Sequence, residues 1–262
     1  MTHKSTSPLA TYSFPNYRFH EPKLFNLLYD ELGKEVLRIH NKQFARTSIA
    51  DTTEYQPNQP IAYSNVPRAL SYNFILHTLT NGRIQVASPV DVVQCWDNIP
   101  ERDATIPHTN AVIFFSKEGK YQDLPQRVFD LLGKSRSRVR APFFVTGLGV
   151  KKADNEYGFT FVGTGLQQVI EAPYLTKDTR VRYDPKTRTL VEAKNDEEGV
   201  QIFVPSDQSG IRGVCRVRSI DLCCVDNGTL DLDPDELDDG LLDSCADGRI
   251  QVVQRDLQSR VA

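Results

Sequence analysis

The chain carries, at residues 134–161, the stretch KSRSRVRAPFFVTGLGVKKADNEYGFTF, around which we arrange the predicted fold. Its first part alternates cations with other residues, so in an extended segment all of these cations point to one side. They are Lys134, Arg136, Arg138 and Arg140. Two adjacent aromatic residues and a second group of cations follow, namely Phe143, Phe144, Lys151 and Lys152. The chain then turns at residues 153–158 and returns as a second strand.

Two interpretations of this stretch stay open. A row of cations that leads into an aromatic hairpin can hold a single-stranded nucleic acid, with phosphates on the cations and bases stacked on the rings. The same pattern also describes the solvated edge of a sheet, where charges discourage pairing with other chains and a hydrophobic core lies behind.

The remainder of the C-terminal half predicts short strands separated by turns. Residues 143–150 are expected to pair with 159–162, and residues 180–183 with 188–191 across a proline-containing turn. Residues 200–204 form a further strand, and residues 213–225 are interpreted as one long, bent strand. The predicted class is α+β, with a predominantly antiparallel β core, as a partly open barrel (for example OB-like) or a sandwich, and two packed helices.

Hydrophobic periodicity predicts the first helix over residues 22–44, where Leu24, Leu28, Leu32 and Val36 recur at every fourth position. Gly33 is expected to weaken this helix by somewhat less than ~1 kcal/mol. His40 is interpreted as a favourable charge near the C-terminal end of the helix. A second helix enters at Asp123 and ends at Gly133.

Between the two helices, residues 47–67 are interpreted as an irregular loop. Residues 73–80 and 83–88 predict a hairpin closed by Asn81-Gly82. A short helical turn is expected to begin at Ser88, and residues 111–115 predict a strand that is buried on both faces. The sequence Gly-Arg-Ile-Gln-Val occurs at residues 82–86 and again at 248–252, which we interpret as the same hairpin chemistry used twice.

The composition is that of an ordinary folded protein of 262 residues, 39% hydrophobic and 25% charged. The start of the sequence lacks the apolar segment of a secretory signal, and five cysteines without CxxC spacing indicate a reduced compartment. We therefore expect a location in the cytoplasm, or inside a virion or another intracellular assembly, and no membrane partner.

Three segments are predicted: an N-terminal arm at residues 1–20, a mixed α/β region at 21–140 and a β-rich region at 141–262, of which the last two could form one domain. The arm carries aromatic and cationic side chains suited to a contact with a neighbouring subunit, namely Tyr12, Phe14, Tyr17, Arg18 and Phe19. Residues 226–247 contain nine Asp or Glu and no Lys or Arg, whereas residues 1–225 carry a net charge of +4. This acidic loop could fold back over the cations.

No local motif predicts catalysis. The five histidines show no HxH or HExxH spacing, and neither a GxSxG nor a Walker A sequence occurs. Gly147-Leu-Gly149 lacks the third glycine of a dinucleotide site and is interpreted as strand glycine near a bulge. No catalytic residue, metal ligand or cofactor is therefore predicted.

We expect a non-catalytic binding or assembly protein that holds single-stranded nucleic acid on a basic, aromatic β face. One alternative is a structural subunit of a viral particle or multiprotein complex, a homo- or hetero-oligomer assembled through its N-terminal arm. A second alternative is an enzyme, because active sites are assembled from residues that are distant in sequence.

Overall fold

The computed structural model describes residues 23–47, 49–50, 56–99, 108–115, 123–133, 139–155, 158–195, 198–204, 211–216, 220–224 and 245–255. The predicted arm, the cations at positions 134, 136 and 138, and nearly all of the acidic loop lie outside these residues. The described helices are α1 (Glu31–Gln43), α2 (Val66–Thr80), α3 (Pro89–Gln94) and α4 (Asp123–Leu132). A 3-10 turn, Trp96–Asn98, follows α3.

The described strands form three sheets. The largest contains eight strands: β4 (His108–Phe114), β5 (Phe143–Lys152), β6 (Phe159–Glu171), β7 (Thr179–Asp184), β8 (Thr189–Glu192), β9 (Val200–Phe203), β10 (Ile211–Arg216) and β11 (Ile220–Cys224). Their spatial order is β6-β5-β4-β10-β11-β9-β7-β8, and every pair is antiparallel except β11 with β9. The α+β class with an antiparallel β core is confirmed, and the OB-like form stays a prediction.

Two small sheets join segments that are distant in sequence. The first consists of β1 (Leu24–Asn26), β13 (Gln251–Gln254) and β3 (Ile84–Val86), and the second of β2 (Ala62–Ser64) and β12 (Cys245–Arg249). Every sheet contains strands from both sides of residue 140. The repeated pentapeptides meet in the first sheet, where Val86 lies opposite Val252 in antiparallel register. They therefore end in strands that pair with each other, and the predicted repeated hairpin was wrong.

The first helix begins later than predicted. Residues 24–26 form β1, and Asp30 caps α1 by accepting a hydrogen bond from the Gly33 N–H at 2.9 Å. Gly33 is required at this position: a Cβ there would lie 1.9 Å from the Leu28 carbonyl oxygen. Asp30 therefore marks the start of the helix. The leucine periodicity extends further towards the N-terminus because Leu24 is buried as part of β1.

The predicted hairpin at residues 73–88 was wrong, because residues 66–80 form α2. Asn65 caps this helix through the Arg68 N–H, and eleven of its fifteen residues are buried. A helix buried on most sides shows no apolar stripe to reveal it. Asn81, with φ of 53°, ends the helix in the left-handed conformation, which Asn and Gly also adopt in hairpin turns.

Two buried amides, one on α2 and one on β4, join α2, β3 and the large sheet. The Asn73 side chain donates to the Leu148 carbonyl at 2.7 Å and accepts from the Val86 N–H at 3.0 Å. The Asn110 side chain donates to the Val86 carbonyl at 2.7 Å and accepts from the Gly147 N–H at 3.3 Å. Together these amides satisfy both peptide groups of Val86 and join β3 to the bulge of β5.

Helices and loops cover both faces of the large sheet. From β4, Val112 and Phe114 enter one hydrophobic cluster together with residues of α2 and α4, whereas Ala111 and Ile113 enter a second cluster with Val93 of α3. All seven residues of β4 are buried, which confirms the predicted strand. The second predicted helix, the β5–β6 hairpin and the β7–β8 hairpin are confirmed as well.

The predicted long strand at residues 213–225 was wrong. Two strands replace it, because β10 and β11 pair with each other in antiparallel register from Arg212 opposite Cys224 to Arg216 opposite Ile220. This stretch therefore reverses direction in a hairpin and does not form one bent strand.

Candidate functional site

The two predicted stacking residues do not have exposed ring faces. Phe143 and Phe144 are both 0% exposed, because adjacent residues of a strand point to opposite faces and both faces of β5 are covered. Phe143 stacks on Phe114 with ring centroids 4.7 Å apart, and Phe144 belongs to the second cluster. Neither ring can receive a base in this structure, so their assignment to a nucleic-acid site is corrected.

The predicted cations that the structure describes are exposed, but Arg140 lies far from Lys151 and Lys152. Arg140 precedes β5, and Lys151 and Lys152 end it. Lys151 lies eight positions after Phe143, which corresponds to ~27 Å of extended chain at the usual rise per residue. The strand between them is buried over residues 143–150, so no open basic surface runs along it. Positions 134, 136 and 138 and the five arm residues lie outside the described part of the chain.

A buried histidine and serine resemble a catalytic pair but form a structural link. His40 Nδ1 lies 2.8 Å from Ser71 Oγ, and its Nε2 donates to the Ile49 carbonyl at 2.9 Å. Both side chains are 0% exposed, and the Arg68 guanidinium also donates to the Ile49 carbonyl, at 3.1 Å. The group holds residues 49–50 against α1 and α2, and no substrate can reach it. His40 is therefore a core residue, not a surface charge at the helix end.

An open cleft of about 270 Å³ lies between the α3 end and the β7–β9 part of the large sheet. Its lining consists of two aromatic side chains, one guanidinium, one carboxylate and a small apolar floor: Trp96, Tyr183, Arg182, Asp97, Val93 and residues 199–200. The volume lies just below the range of about 300–1,000 Å³ that is usual for small-molecule pockets.

One wall of the cleft is held in place by a capping box. Ser88 and Asp91 bond reciprocally at the start of α3, and the Asp91 carboxylate also accepts from Arg255 Nη2 at 2.6 Å. Asp91 is buried, so this ion pair fixes α3 against the end of β13. The 3-10 turn follows directly, which leaves Trp96 half-buried and Asp97 exposed at the rim.

The opposite wall is built by β7 and the turn before β9. Arg180 donates from Nε to the Glu198 carbonyl at 2.9 Å and from Nη2 to the Gly199 carbonyl at 2.6 Å. Gly199 has a φ of 76°, and a Cβ at this position would lie 2.2 Å from the Val181 carbonyl oxygen. The turn therefore approaches β7 too closely to admit a side chain at position 199, beside the half-buried Arg182 and Tyr183.

Two titratable groups near β7 have pKa values shifted from their usual range. The Thr187 hydroxyl, the Lys186 N–H and Arg182 lower the pKa of Asp184, so this carboxylate stays ionised at neutral pH. Burial and the nearby Glu192 raise the pKa of Tyr174, which therefore stays neutral and donates to the Leu190 carbonyl. Among the described residues, those that line the cleft include no Ser, Cys, His or Lys.

Sequence reasoning did not identify this cleft. Trp96 belongs to no sequence motif, and Arg182 and Tyr183 are predicted only as part of a hairpin strand. Adjacent side chains of a strand point to opposite faces, so the alternation of Arg180, Arg182 and Asp184 with Val181 and Tyr183 predicts no shared site, and only the fold shows that residues 182 and 183 both line the cleft.

Among the described residues, no group of three or more His, Cys, Asp or Glu side chains could hold a metal ion. Within the same part of the chain, no helix has the length and apolar character needed to cross a bilayer. No protein-family model, curated protein or solved structure matches the chain, so the cleft is interpreted from its own chemistry.

Proposed function

We propose that the protein binds single-stranded nucleic acid at the cleft between α3 and β7, with one base beside Trp96 and Tyr183 and a neighbouring phosphate on Arg182. The observation that carries this proposal is the pairing of two aromatic side chains with a guanidinium in a cleft of base-sized volume. Aromatic platforms flanked by cations are the usual means of holding single strands, and each stacked base contributes about 1–3 kcal/mol.

The side chains around the cleft favour a nucleotide, with its base and its phosphate, over a simple anion as the ligand. Asp97 would repel an isolated phosphate but can accept hydrogen bonds from the amino group of a base. The exposed Lys186 and Arg188 lie in the turn that follows β7 and could contact further phosphates. The basic, aromatic β face expected from the sequence is thus proposed for β7 and its neighbours, in place of β5.

The experiment that tests this proposal compares two triple variants of equal charge in fluorescence anisotropy titrations with a labelled single-stranded oligonucleotide. The first changes Arg182, Lys186 and Arg188 to Gln, and the second changes Arg140, Lys151 and Lys152 to Gln. We expect the first to weaken binding more than tenfold and to reduce the log–log salt slope by about 2, because roughly 0.7 counterion is released per contacted phosphate.

The second variant is the matched control, since it removes the same net charge from the ends of β5. A small loss of affinity there would reflect long-range electrostatics alone. A larger loss of affinity in the control than in the first variant would indicate that the nucleic acid binds at the ends of β5. Absence of any binding by the unmutated protein at low salt would remove the proposal altogether.

A further inference from the structure

Helix α3 lies between the small sheet of β1, β13 and β3 and the large sheet. Val92 and Cys95 belong to a buried hydrophobic cluster that includes Val253 of β13. Val93 belongs instead to the cluster on the large sheet. The Trp96 side chain packs against both clusters. The place of the indole at the cleft therefore depends on how α3 lies on β13 as well as on how it lies on the large sheet.

An ion pair at the end of β13 holds the start of α3. The Arg255 N–H donates to the Arg83 carbonyl at 2.7 Å, which extends the pairing of β13 with β3 to this residue. Arg255 Nη2 donates to Asp91 Oδ2 at 2.6 Å, and the same oxygen accepts from the Ser88 N–H at 2.8 Å and the Ser88 hydroxyl at 2.7 Å. The Asp91 side chain is 3% exposed. A buried carboxylate is costly unless it is paired, and the Arg255 guanidinium supplies the opposite charge.

Backbone hydrogen bonds connect this ion pair to Trp96. The Asp91 carbonyl accepts from the Cys95 N–H at 3.0 Å, which closes the last turn of α3. The Cys95 carbonyl in turn accepts from the Asn98 N–H at 2.8 Å, which closes the 3-10 turn that contains Trp96. A displacement of Asp91 is therefore transmitted to the residues on both sides of the indole.

We propose that Arg255 is a positioning residue for the cleft: through its ion pair with Asp91 it sets how α3 lies on β13 and thereby where Trp96 stands. Without the guanidinium, the buried carboxylate loses its opposite charge and draws water towards the start of α3. The wall that carries Trp96 then loosens. The expected effect on nucleic-acid affinity rests on the proposed function, whereas the expected effect on Trp96 in the free protein does not.

The first test is acrylamide quenching of tryptophan emission in the free, full-length chain, in which Trp96 is the only tryptophan. Acrylamide is neutral, so a change of protein charge does not alter its access to the indole. Arg255→Gln is expected to raise the quenching constant roughly twofold, because local opening exposes the half-buried ring. Arg255→Lys should restore a constant close to that of the unmutated protein, since it keeps a cation beside Asp91.

The matched control is Arg38→Gln. Arg38 also forms an exposed ion pair of 2.6 Å, with Glu35 on α1, and it does not line the cleft. Its replacement removes the same charge and should leave the quenching constant unchanged. An equal rise in the two Gln variants would overturn the inference, as would an unchanged constant in Arg255→Gln.

A double-mutant cycle tests whether Arg255 acts through Asp91. Asp91→Asn removes the charge of the pair and retains an oxygen that can accept from Ser88, so it should raise the quenching constant as Arg255→Gln does. The double variant should show no further rise, because both changes remove the same interaction. Additive rises would show that the two side chains act separately and would overturn the proposal. Should Arg255→Gln not fold, Asp91→Asn compared with Arg38→Gln decides the question in the same way.

The second test repeats the anisotropy titration with the labelled single-stranded oligonucleotide. Arg255→Gln is expected to weaken binding about fivefold relative to Arg38→Gln, because a displaced indole stacks less well on a base. Equal affinities of these two variants, with tight binding by the unmutated protein, would overturn the effect on the cleft. Absence of binding by the unmutated protein would remove the proposed function alone, since the quenching results still decide whether Arg255 positions Trp96.

Discussion

Replacing Asn110 with leucine is expected to lower the free energy of unfolding by about 2–6 kcal/mol, although the two side chains are similar in size. The change leaves the Val86 carbonyl and the Gly147 N–H without their side-chain partner. Each buried polar group that loses its partner costs about 1–3 kcal/mol. Urea unfolding monitored by circular dichroism measures the effect.

The control is Asn195→Leu, because Asn195 is exposed and an exposed substitution usually changes stability by less than about 0.5 kcal/mol. Asn73→Leu should resemble Asn110→Leu, since Asn73 bonds the other peptide group of Val86. The double variant should lose less than the sum of the single losses, because both amides stabilise the same junction between β3 and β5. Equal stabilities of Asn110→Leu and Asn195→Leu would contradict this role of the junction.

Gly33→Ala is expected to destabilise the protein by about 1–3 kcal/mol, the cost of overpacking, although alanine is favoured over glycine in an ordinary helix by ~1 kcal/mol. The reason is the Leu28 carbonyl oxygen, which lies 1.9 Å from the position of the new Cβ. Either β1 and its following loop or the first turn of α1 must move to admit the methyl group.

The exposed neighbour Lys34 provides the matched comparison. Lys34→Ala and Lys34→Gly both remove the ion pair with Glu31, so their difference measures the ordinary preference for alanine in this helix. We expect opposite signs: alanine more stable than glycine at position 34 and less stable at position 33. If alanine were also more stable than glycine at position 33, the residues around Gly33 would accommodate a methyl group without a loss of stability.

The sequence predicted those elements whose signals are local. The apolar run at residues 111–115, the helix ending at Gly133 and the hairpins of β5–β6 and β7–β8 are each specified by turn residues and periodicity within a few positions. Gly147 was also interpreted correctly, because its φ of 70° lies where the register between β5 and β6 shifts.

Helix α2 could not be predicted because its decisive features are tertiary. Its burial on most sides erases the amphipathic pattern, and Asn81-Gly82 satisfies the left-handed requirement of a helix end as well as that of a hairpin. The contacts that make it a helix, from Asn73 to Leu148 and Val86, involve residues up to 75 positions away.

The burial of Phe143 and Phe144 could not be predicted for a related reason. Adjacent Phe143 and Phe144 would offer one exposed ring if a single face of β5 met solvent. Residues of α2 and α4 cover one face and residues of α3 and β7–β9 cover the other, so both rings are buried. The cleft residues Trp96 and Tyr183 are 87 positions apart in the chain, and only the packing of α3 against β7 brings them together.

The most direct measurement of the proposed function uses the fluorescence of Trp96, because it is the only tryptophan in the chain. Single-stranded oligonucleotide is titrated into the unmutated protein at low salt, and tryptophan emission and oligonucleotide anisotropy are recorded on the same samples. We predict that emission is quenched in step with the rise in anisotropy, since the base that binds lies against the indole. Saturating anisotropy with unchanged tryptophan emission would show that the nucleic acid binds elsewhere and would contradict the cleft as its site.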